Sequence, residues 1–497
     1  MSDKSNFRYL KKFRKETVEP RPASLIETFR AIGYNLASAL ADIVDNSISA
    51  ECKYVHINFF WKKEDTYITI LDDGKGMSEE ELVEALRPGT HNPLGDRKSE
   101  DLGRFGLGLK TASFSQCRVL SIISKNAGNP KVHLRAWHLD YVEHYNIWEI
   151  IEYISMPELK DLLKNKSKGT LVVWENLDRI IYDQNGHLIT QRKFLEAVRE
   201  IEHHLSMVFH RFLESGKIKL FINEQPVSAW DPFLRKERAT QSFPTETFMQ
   251  GKICITGYVL PHPSKTTAEV WNAAAGTEGW NASQGFYIYR KDRMLLAGDW
   301  LGLLKKQEFT RLARIMIDID AELDFAWQLD IRKSRAIPPK MFQDDLKRYA
   351  LEITKSAIDV YKHRGKQKQR KAGRSHFEFA WMTVEENGRE YYRVNRNHPL
   401  VRSMAEKMGT KKSDLEKLLK LLEITLPVPA IVLSESQHAD KPAESGTPSN
   451  DSEVAELMKA TYKQLLQDKH TRSKALEELY FIDPFSNYPH LIESLSK

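Results

Sequence analysis

An α+β fold divided into several domains is predicted for this chain by three observations. Its 497 residues exceed what one core holds, and at about 100–200 residues per domain they imply two to four domains. Apolar residues make up 41% and charged residues 29%, the ordinary balance of a soluble globular protein. Helical periodicity dominates the start, after which strands follow one another in hairpin-like succession. That order indicates a layered α+β domain and not a doubly wound βαβ fold.

The elements read as follows. Pro20 and Pro22 punctuate the start, and Ser24 with Glu27 three residues on has the form of a capping box opening a helix. That helix runs through Ile26, Phe29, Leu36, Leu40, Ile43 and Val44, with a break near Gly33. Residues 54–60 and 67–71 alternate as strands around a charged turn. A Gly-containing turn spans 73–76, and Ser78 followed by three glutamates starts another helix with acids in its first turn. Residues 87–103 are polar with Gly and Pro, the composition of a mobile loop, and 107–115 resume a helix. Strands are expected at 117–124, 131–137, 146–153 and 169–174, and a helix at 191–216. Alternating runs at 253–260, 285–289 and 313–319 mark a second strand-rich region. A long helix is expected from about 341 to 366, a linker by composition at 437–451, and helical sequence at 401–422 and 452–479.

The formal charge of +6, with pI near 8.8, permits a nucleic-acid partner without demanding one. Its distribution is more informative. Basic residues crowd 4–15, and Lys362, Arg364, Lys366, Lys368, Arg370, Lys371 and Arg374 form a run without acids. Such a run suits sequence-independent phosphate contact, and equally a solvated helix end. Further on, 388–400 mixes aromatic and basic residues, and His398 there reads as structural and not as a metal ligand. Cys52, Cys117 and Cys254 are too dispersed for a zinc site or a disulfide framework, as expected of thiols in a reducing cytoplasm. No apolar run approaches the roughly 18 residues of a membrane span, and Met1-Ser2-Asp3-Lys4 opens no secretory signal.

Three short motifs carry the chemistry. In Ala41–Ser47, Asp42 and Asn46 are four apart and share one helix face, with Asp45 beside them. A carboxylate next to an amide oxygen suits a hard cation such as Mg²⁺ and an attacking water, although a solvent-facing polar stripe would look the same. Leu71-Asp72-Asp73-Gly74-Lys75-Gly76-Met77 follows an apolar strand. Its glycines allow backbone to approach a planar ligand, and a strand-end carboxylate can accept a hydrogen bond from an adenine amino group. Asp-Gly is also common turn material. Gly103-Arg104-Phe105-Gly106-Leu107-Gly108-Leu109-Lys110 opens a helix, where exposed backbone N–H groups attract anions. This is neither a P-loop nor a Rossmann fingerprint.

The order of the motifs decides the reading: acid-x-x-x-Asn, Asp-x-Gly-x-Gly-Met and GxxGxG all fall between Asp42 and Lys110. This resembles the N, G1 and G2 boxes of the gyrase, Hsp90, histidine-kinase and MutL (GHKL) ATPase superfamily, and Gly169-Thr170 is similar to its later Gly-Thr element. The resemblance implies a Bergerat-type α/β sandwich over 24–185 that binds ATP and Mg²⁺. By it, Asn46 is the Mg²⁺ ligand, Asp72 reads adenine, and Gly74, Gly76 and Met77 shape the base pocket. Gly103, Arg104, Phe105, Gly106, Leu107 and Gly108 wrap the phosphates, 87–103 forms the lid, Thr170 supports the adenine side, and Lys110 either touches a phosphate or faces solvent nearby. Hydrolysing members place Glu where this chain has Asp42. The shorter side chain withdraws the carboxylate by roughly 1–1.5 Å, enough to cost about 10²-fold in rate; weak hydrolysis is therefore expected, with Asp45 a less favoured base.

Residues 39–50 look most like the MORC-type ATPases and their bacterial relatives. That likeness implies an S5-like α/β transducer domain at 190–340 and a mainly helical C-terminal region (341–436 and 452–497), with 1–23 as a basic arm. It also implies a transducer lysine at the γ-phosphate. Lys333 is the candidate, Arg332 and Arg335 are alternatives, and Lys305 and Lys306 are weaker ones. The family further implies an ATP-dependent homodimer, a cytoplasmic clamp on or near DNA. Nuclease, helicase or methyltransferase partners and a role in bacterial antiphage defence come with it. The alternative is a chaperone-like or signalling switch that captures a protein with little hydrolysis. A kinase is disfavoured because no phosphoacceptor-histidine helix precedes the domain, and a topoisomerase because no cleavage domain is recognisable.

Overall fold

The computed structural model describes residues 13–14, 16–89, 108–129, 131–323, 326–328, 336–362, 378–386, 389–409, 412–428, 451–467, 470–485 and 488–496. The chain is mixed α/β and divides into two compact units, Met1–Ile358 and Asp359–Lys497.

The first unit opens with α1 (Pro22–Arg30), α2 (Leu36–Ser49), β1 (Tyr54–Phe60), β2 (Tyr67–Asp72), α3 (Glu79–Leu86) and α4 (Gly108–Phe114). There follow β3 (Val119–Lys125), β4 (His133–His138), α5 (Leu139–Tyr145), α6 (Asp161–Lys164) and β5 (Gly169–Glu175). Next come α7 (Gln191–Val208), α8 (His210–Glu214), β6 (Lys219–Ile222) and β7 (Gln225–Pro226). The first sheet runs β4-β3-β5-β2-β1-β6-β7, antiparallel except where β6 pairs parallel to β1. It therefore reaches past residue 185, drawing its last two strands from 219–226.

Burial explains which strands are central. β3 and β5 are buried at every position, because helices cover one face and Leu159 and Leu163 cover the other. β1 alternates: Val55, Ile57 and Phe59 point inward while its other side chains are partly or fully exposed. Leu40, Ile43 and Val44 of α2 lie in the same core cluster as Ile57, Ile70, Phe114 and Leu205. Helix α2 is thus held by the sheet, by α4 and by α7.

Several local expectations change. Helix α1 starts at Pro22, with Arg21 as an N-cap that makes no side-chain bond, so Ser24 lies inside the helix. Proline at the first position already has the helical φ and lacks the N–H that a cap would satisfy. The expected strand at 146–153 reduces to one bridge, Ala136 with Ile151. Asn146, at φ 53°, ends α5 in the left-handed region, and a continuous ladder does not form. Gly33, at φ 87°, makes the expected break before α2. The helix at 191–216 is two helices, parted at Phe209.

The second sheet comprises β8 (Gln241–Ser242), β9 (Glu246–Phe248), β10 (Ile253–Val259), β11 (Gly285–Arg290), β12 (Arg293–Asp299) and β13 (Ala313–Ile319), with α9 (Ala268–Ala275) between β10 and β11. Its order is β12-β11-β13-β10-β8, and β9 also pairs β10. Sequence periodicity missed β12. It follows β11 through a two-residue turn in which Lys291 and Asp292 both have positive φ, 49° and 68°. Such turns match the twist of a hairpin, and Asp tolerates the conformation. Helix α10 (Lys340–Lys362) packs on this sheet at Gly257.

In the second unit, β14 (Trp381–Glu386) and β15 (Arg389–Val394) form a hairpin, followed by α11 (Pro399–Lys407) and α12 (Lys412–Ile424). Helices Asp451–Gln467, Arg472–Leu479 and Pro489–Ser496 share a core of Met458, Leu465, Leu479, Phe485 and Ile492. His398 bonds the Asp483 carbonyl at 2.8 Å, which makes it structural as expected. Among the described residues no helix is long and apolar enough to cross a membrane, and no group of three His, Cys, Asp or Glu residues is placed to hold a metal.

A Cβ on Gly257 would stand 2.4 Å from Ile353 Cδ1, and the Gly257 N–H donates to Tyr349 Oη at 2.8 Å. Gly257→Val should cost about 1–3 kcal/mol by overpacking. Thermal unfolding should record that as a lowered Tm.

Candidate functional site

Helix α2 delivers the first motif. Asn35 caps it, accepting from the Ser38 N–H at 2.7 Å. Residues Ala39 to Asp45 are all buried, whereas Asn46 is exposed. Asp42 Oδ2 accepts the Tyr34 hydroxyl at 2.8 Å. Asp45 is engaged by the second sheet: Arg293 Nε donates to its carboxylate oxygens at 3.2 and 3.3 Å.

Asp72 is the last residue of β2 and the best-organised group of the site. Its Oδ1 accepts the N–H of Gly74 at 2.9 Å and of Thr170 at 3.2 Å, and its Oδ2 accepts the Ser47 hydroxyl at 2.8 Å. An ionised carboxylate offers about four acceptor positions, so these three bonds leave one. Burial pushes its pKa above the usual carboxylate range, and the bonds from Gly74, Ser47 and Thr170 oppose that rise. The neighbouring Asp73 acts on the backbone instead. It accepts the N–H groups of Lys53 and Tyr54 at 2.7 and 2.9 Å and so holds the start of β1.

Two glycines are obligatory for this geometry. Gly76 has φ 69°, and a Cβ there would lie 1.9 Å from the Lys125 carbonyl oxygen. Gly169 has φ 141°, and its Cβ would lie 2.4 Å from the Asp72 carbonyl oxygen. Both positions let backbone pass where a side chain cannot. Gly74 is also confined, with Ala50 Cβ 2.8 Å from where its Cβ would be. A hydroxyl relay continues the floor: Ser124 Oγ accepts the Met77 N–H at 2.9 Å and meets Thr170 Oγ1 at 3.0 Å. Thus Asp72, Gly74, Gly76, Met77 and Thr170 are brought together, with Asn46 exposed one residue before Ser47 on α2.

The third motif is represented by its end. Gly103, Arg104, Phe105, Gly106 and Leu107 lie outside the described residues, as does the lid segment from 90 onward. Gly108 begins α4, and a Cβ there would stand 3.5 Å from Asp42 Oδ2, so α4 abuts the acid of the first motif. Lys110 is a correction. It is 2% exposed, and its ammonium donates to the carbonyls of Ala85 and Arg87, both at 2.9 Å, at the C-terminus of α3. Helix ends leave such carbonyls unpaired, and these bonds, with the burial, overturn the solvent-facing alternative for Lys110. Burial pushes its pKa down to about 8. Lys333, with Arg332 and Arg335, lies outside the described residues.

Residues 34–170 match the family described as histidine kinase-, DNA gyrase B- and HSP90-like ATPase. This segment is a GHKL-type ATPase domain. The chain is similar to the ATPase morc-1 of Caenorhabditis elegans, 35% identical over 91 residues, which is 18% of this chain and 10% of the relative. It is also similar to the chaperone protein HtpG of Rickettsia massiliae, 26% identical over 171 residues, 32% of this chain and 24% of the chaperone. HtpG of Azorhizobium caulinodans is 29% identical over 144 residues, 24% of this chain and 21% of the relative. The matches therefore span a quarter or less of these relatives' lengths.

Tyr34 and Arg293 lie outside the three motifs, and Ser47 closes the first motif without a role visible in the sequence. Ser47 sits directly after Asn46, but nothing local shows that its hydroxyl turns to a strand end 25 residues away. Arg293 follows the Lys291-Asp292 turn, and that turn was its one available signal.

Asp72→Asn keeps the shape of the Asp72 network without its charge. It should weaken ATP binding at least about tenfold, the loss of one charge-assisted hydrogen bond, in calorimetric titration. Because the native pKa of Asp72 is raised, its neutral form favours folding at low pH, and that contribution is lost as pH rises from about 3.8 through the raised value. The Tm of the parent should therefore fall relative to D72N across that window. Lys110→Met should cost about 1–3 kcal/mol by leaving carbonyls unpaired. A loss of ATP affinity at unchanged Tm would support a phosphate role.

Proposed function

We propose that the chain binds ATP with Mg²⁺, hydrolyses it slowly, and uses the nucleotide to gate a dimeric clamp acting on or near DNA. The observation that carries the nucleotide part is the Asp72 carboxylate, buried, held by three donors and left with one acceptor position at the end of β2. An adenine amino group is a fitting fourth donor. Asn46 fits a Mg²⁺ ligand: its side chain is exposed on the helix that also carries Asp42 and Ser47. Bound Mg²⁺ would neutralise phosphate charge. Asp42 is the residue for orienting the attacking water, with the Tyr34 hydroxyl fixing one of its oxygens. Residues 103–108 are proposed to enclose the phosphates, and Lys333 to meet the γ-phosphate from a transducer-like second domain.

The clamp and DNA parts are supported by the likeness to a MORC ATPase and by the basic run 362–374. Likeness to chaperones keeps capture of a protein as the second reading.

Phosphate release and ATP binding in the parent, D42N and D42E test the catalytic assignment. D42N should release phosphate about 10²-fold more slowly, the typical worth of a general base, while its Kd stays within about threefold. D42N turning over at the parent rate overturns the assignment. Sedimentation with ATP, a non-hydrolysable analogue or no nucleotide, each with and without duplex DNA, tests the clamp. The analogue should double the mass, and salt should weaken DNA binding steeply. A mass indifferent to nucleotide overturns the clamp.

A further inference from the structure

The second sheet sends one side chain into the first motif. Arg293, the first residue of β12, is placed by the Lys291-Asp292 turn and lies at the junction of α7 and α8, its guanidinium 5.8 Å from the Phe209 ring. Its Nε contacts both oxygens of Asp45 and its Nη1 donates to the Met294 carbonyl. Its Nη2 stands 4.0 Å from Asp42 Oδ1. The side chains of Arg293, Asp42 and Asp45 are 6%, 6% and 2% exposed, so this ion cluster is shielded from water and salt. His204 of α7, held down to about pKa 4 by burial and then by Arg293, is neutral at physiological pH and does not compete for the acids.

We propose that Arg293 is a positioning residue for hydrolysis, carried by the second sheet. The two oxygens of Asp42 are addressed from different parts of the fold. Tyr34, in the segment leading into α2, holds Oδ2, and Arg293 faces Oδ1 from β12. Asp45 anchors the guanidinium so that its remaining nitrogen faces Asp42. The alignment of Asp42 therefore depends on how the second sheet is seated on α2. A cavity of about 210 Å³, bordered by Gly33, Asn35, His204, Met207 and Arg293, adjoins this seam and leaves it room to shift. Displacement of a reacting group by about 1 Å changes rates by about 10²-fold, so a small reseating of the second sheet would change turnover by up to that factor. A planar guanidinium spans both acids, whereas a lysine ammonium addresses one point.

This role rests on the reading of Asp42 as the water-orienting acid. The experiment measures kcat for phosphate release and Kd for ATP in the full-length parent, R293K, R293M, D45N and R293M/D45N, with folding checked by circular dichroism. R293M should lower kcat by about 10- to 100-fold through misalignment, with Kd within threefold. R293K should recover part of the rate, and R293M/D45N should be no slower than R293M, because both act through one contact. R293M or R293K with the parent kcat, or kcat and affinity falling together, overturns the role while leaving ATP hydrolysis by the parent intact. If R293M does not fold, R293K and D45N decide by the same criteria. A parent that binds ATP and releases no phosphate overturns the hydrolysis reading, and this role with it.

Discussion

The site depends on a buried carboxylate that is satisfied from three elements at once. Asp72 ends β2, accepts from its own turn at Gly74, from β5 at Thr170 and from α2 at Ser47. Burying an ionised group costs several kcal/mol unless donors replace its water. Here the donors offset part of that cost, and in doing so they fix the distance between the helix that carries Asp42 and Asn46 and the strand end that carries Asp72. Two close glycines frame the same turn. Gly169 passes over the Asp72 backbone, where the segments that meet at the carboxylate leave no room for a Cβ, and Gly76 is confined instead by the end of β3 at Lys125.

Helix α2 consequently serves two masters. One face belongs to the core, through Leu40, Ile43 and Val44. The other assigns Asp42 to Tyr34 and Asp45 to Arg293 and leaves Asn46 exposed, while Ser47, on the core side with Ile43 and Val44, turns its hydroxyl to Asp72. A turn of helix with 3.6 residues spreads neighbours around its circumference. Short polar spacing therefore reaches the preceding loop, the second sheet and the first sheet without any long side chain except the arginine. The proposed link between the second sheet and turnover uses that arrangement.

Much of the nucleotide-binding half was legible in the sequence, because its motifs are local. The strand–turn of 71–77, the break at Gly33 and the helix at 78–86 each depend on residues within a few positions of one another. Lys110 misled for the complementary reason. A lysine after a glycine-rich stretch reads as a phosphate contact or a solvent-facing group, but it is buried and its described partners are the carbonyls of Ala85 and Arg87, more than 20 residues earlier. The first sheet's reach to 219–226 was hidden likewise, since a parallel pairing with β1 leaves no mark in the pattern of either strand.

By itself the sequence determined the fold class, the order of the motifs and the identity of Asp42, Asn46 and Asp72 as the residues to inspect. The fold class follows from periodicity and turn chemistry, which act over a few residues, and the choice of residues follows from the resemblance that the ordered motifs carry. Only the tertiary structure decided which of the paired acids Arg293 grips directly, that Ser47 completes the Asp72 network, and that Arg293 joins the second sheet to α2. Those pairings span 25 to 248 residues of chain. Contacts at such separations are chosen by how whole layers pack, and no local propensity encodes that choice.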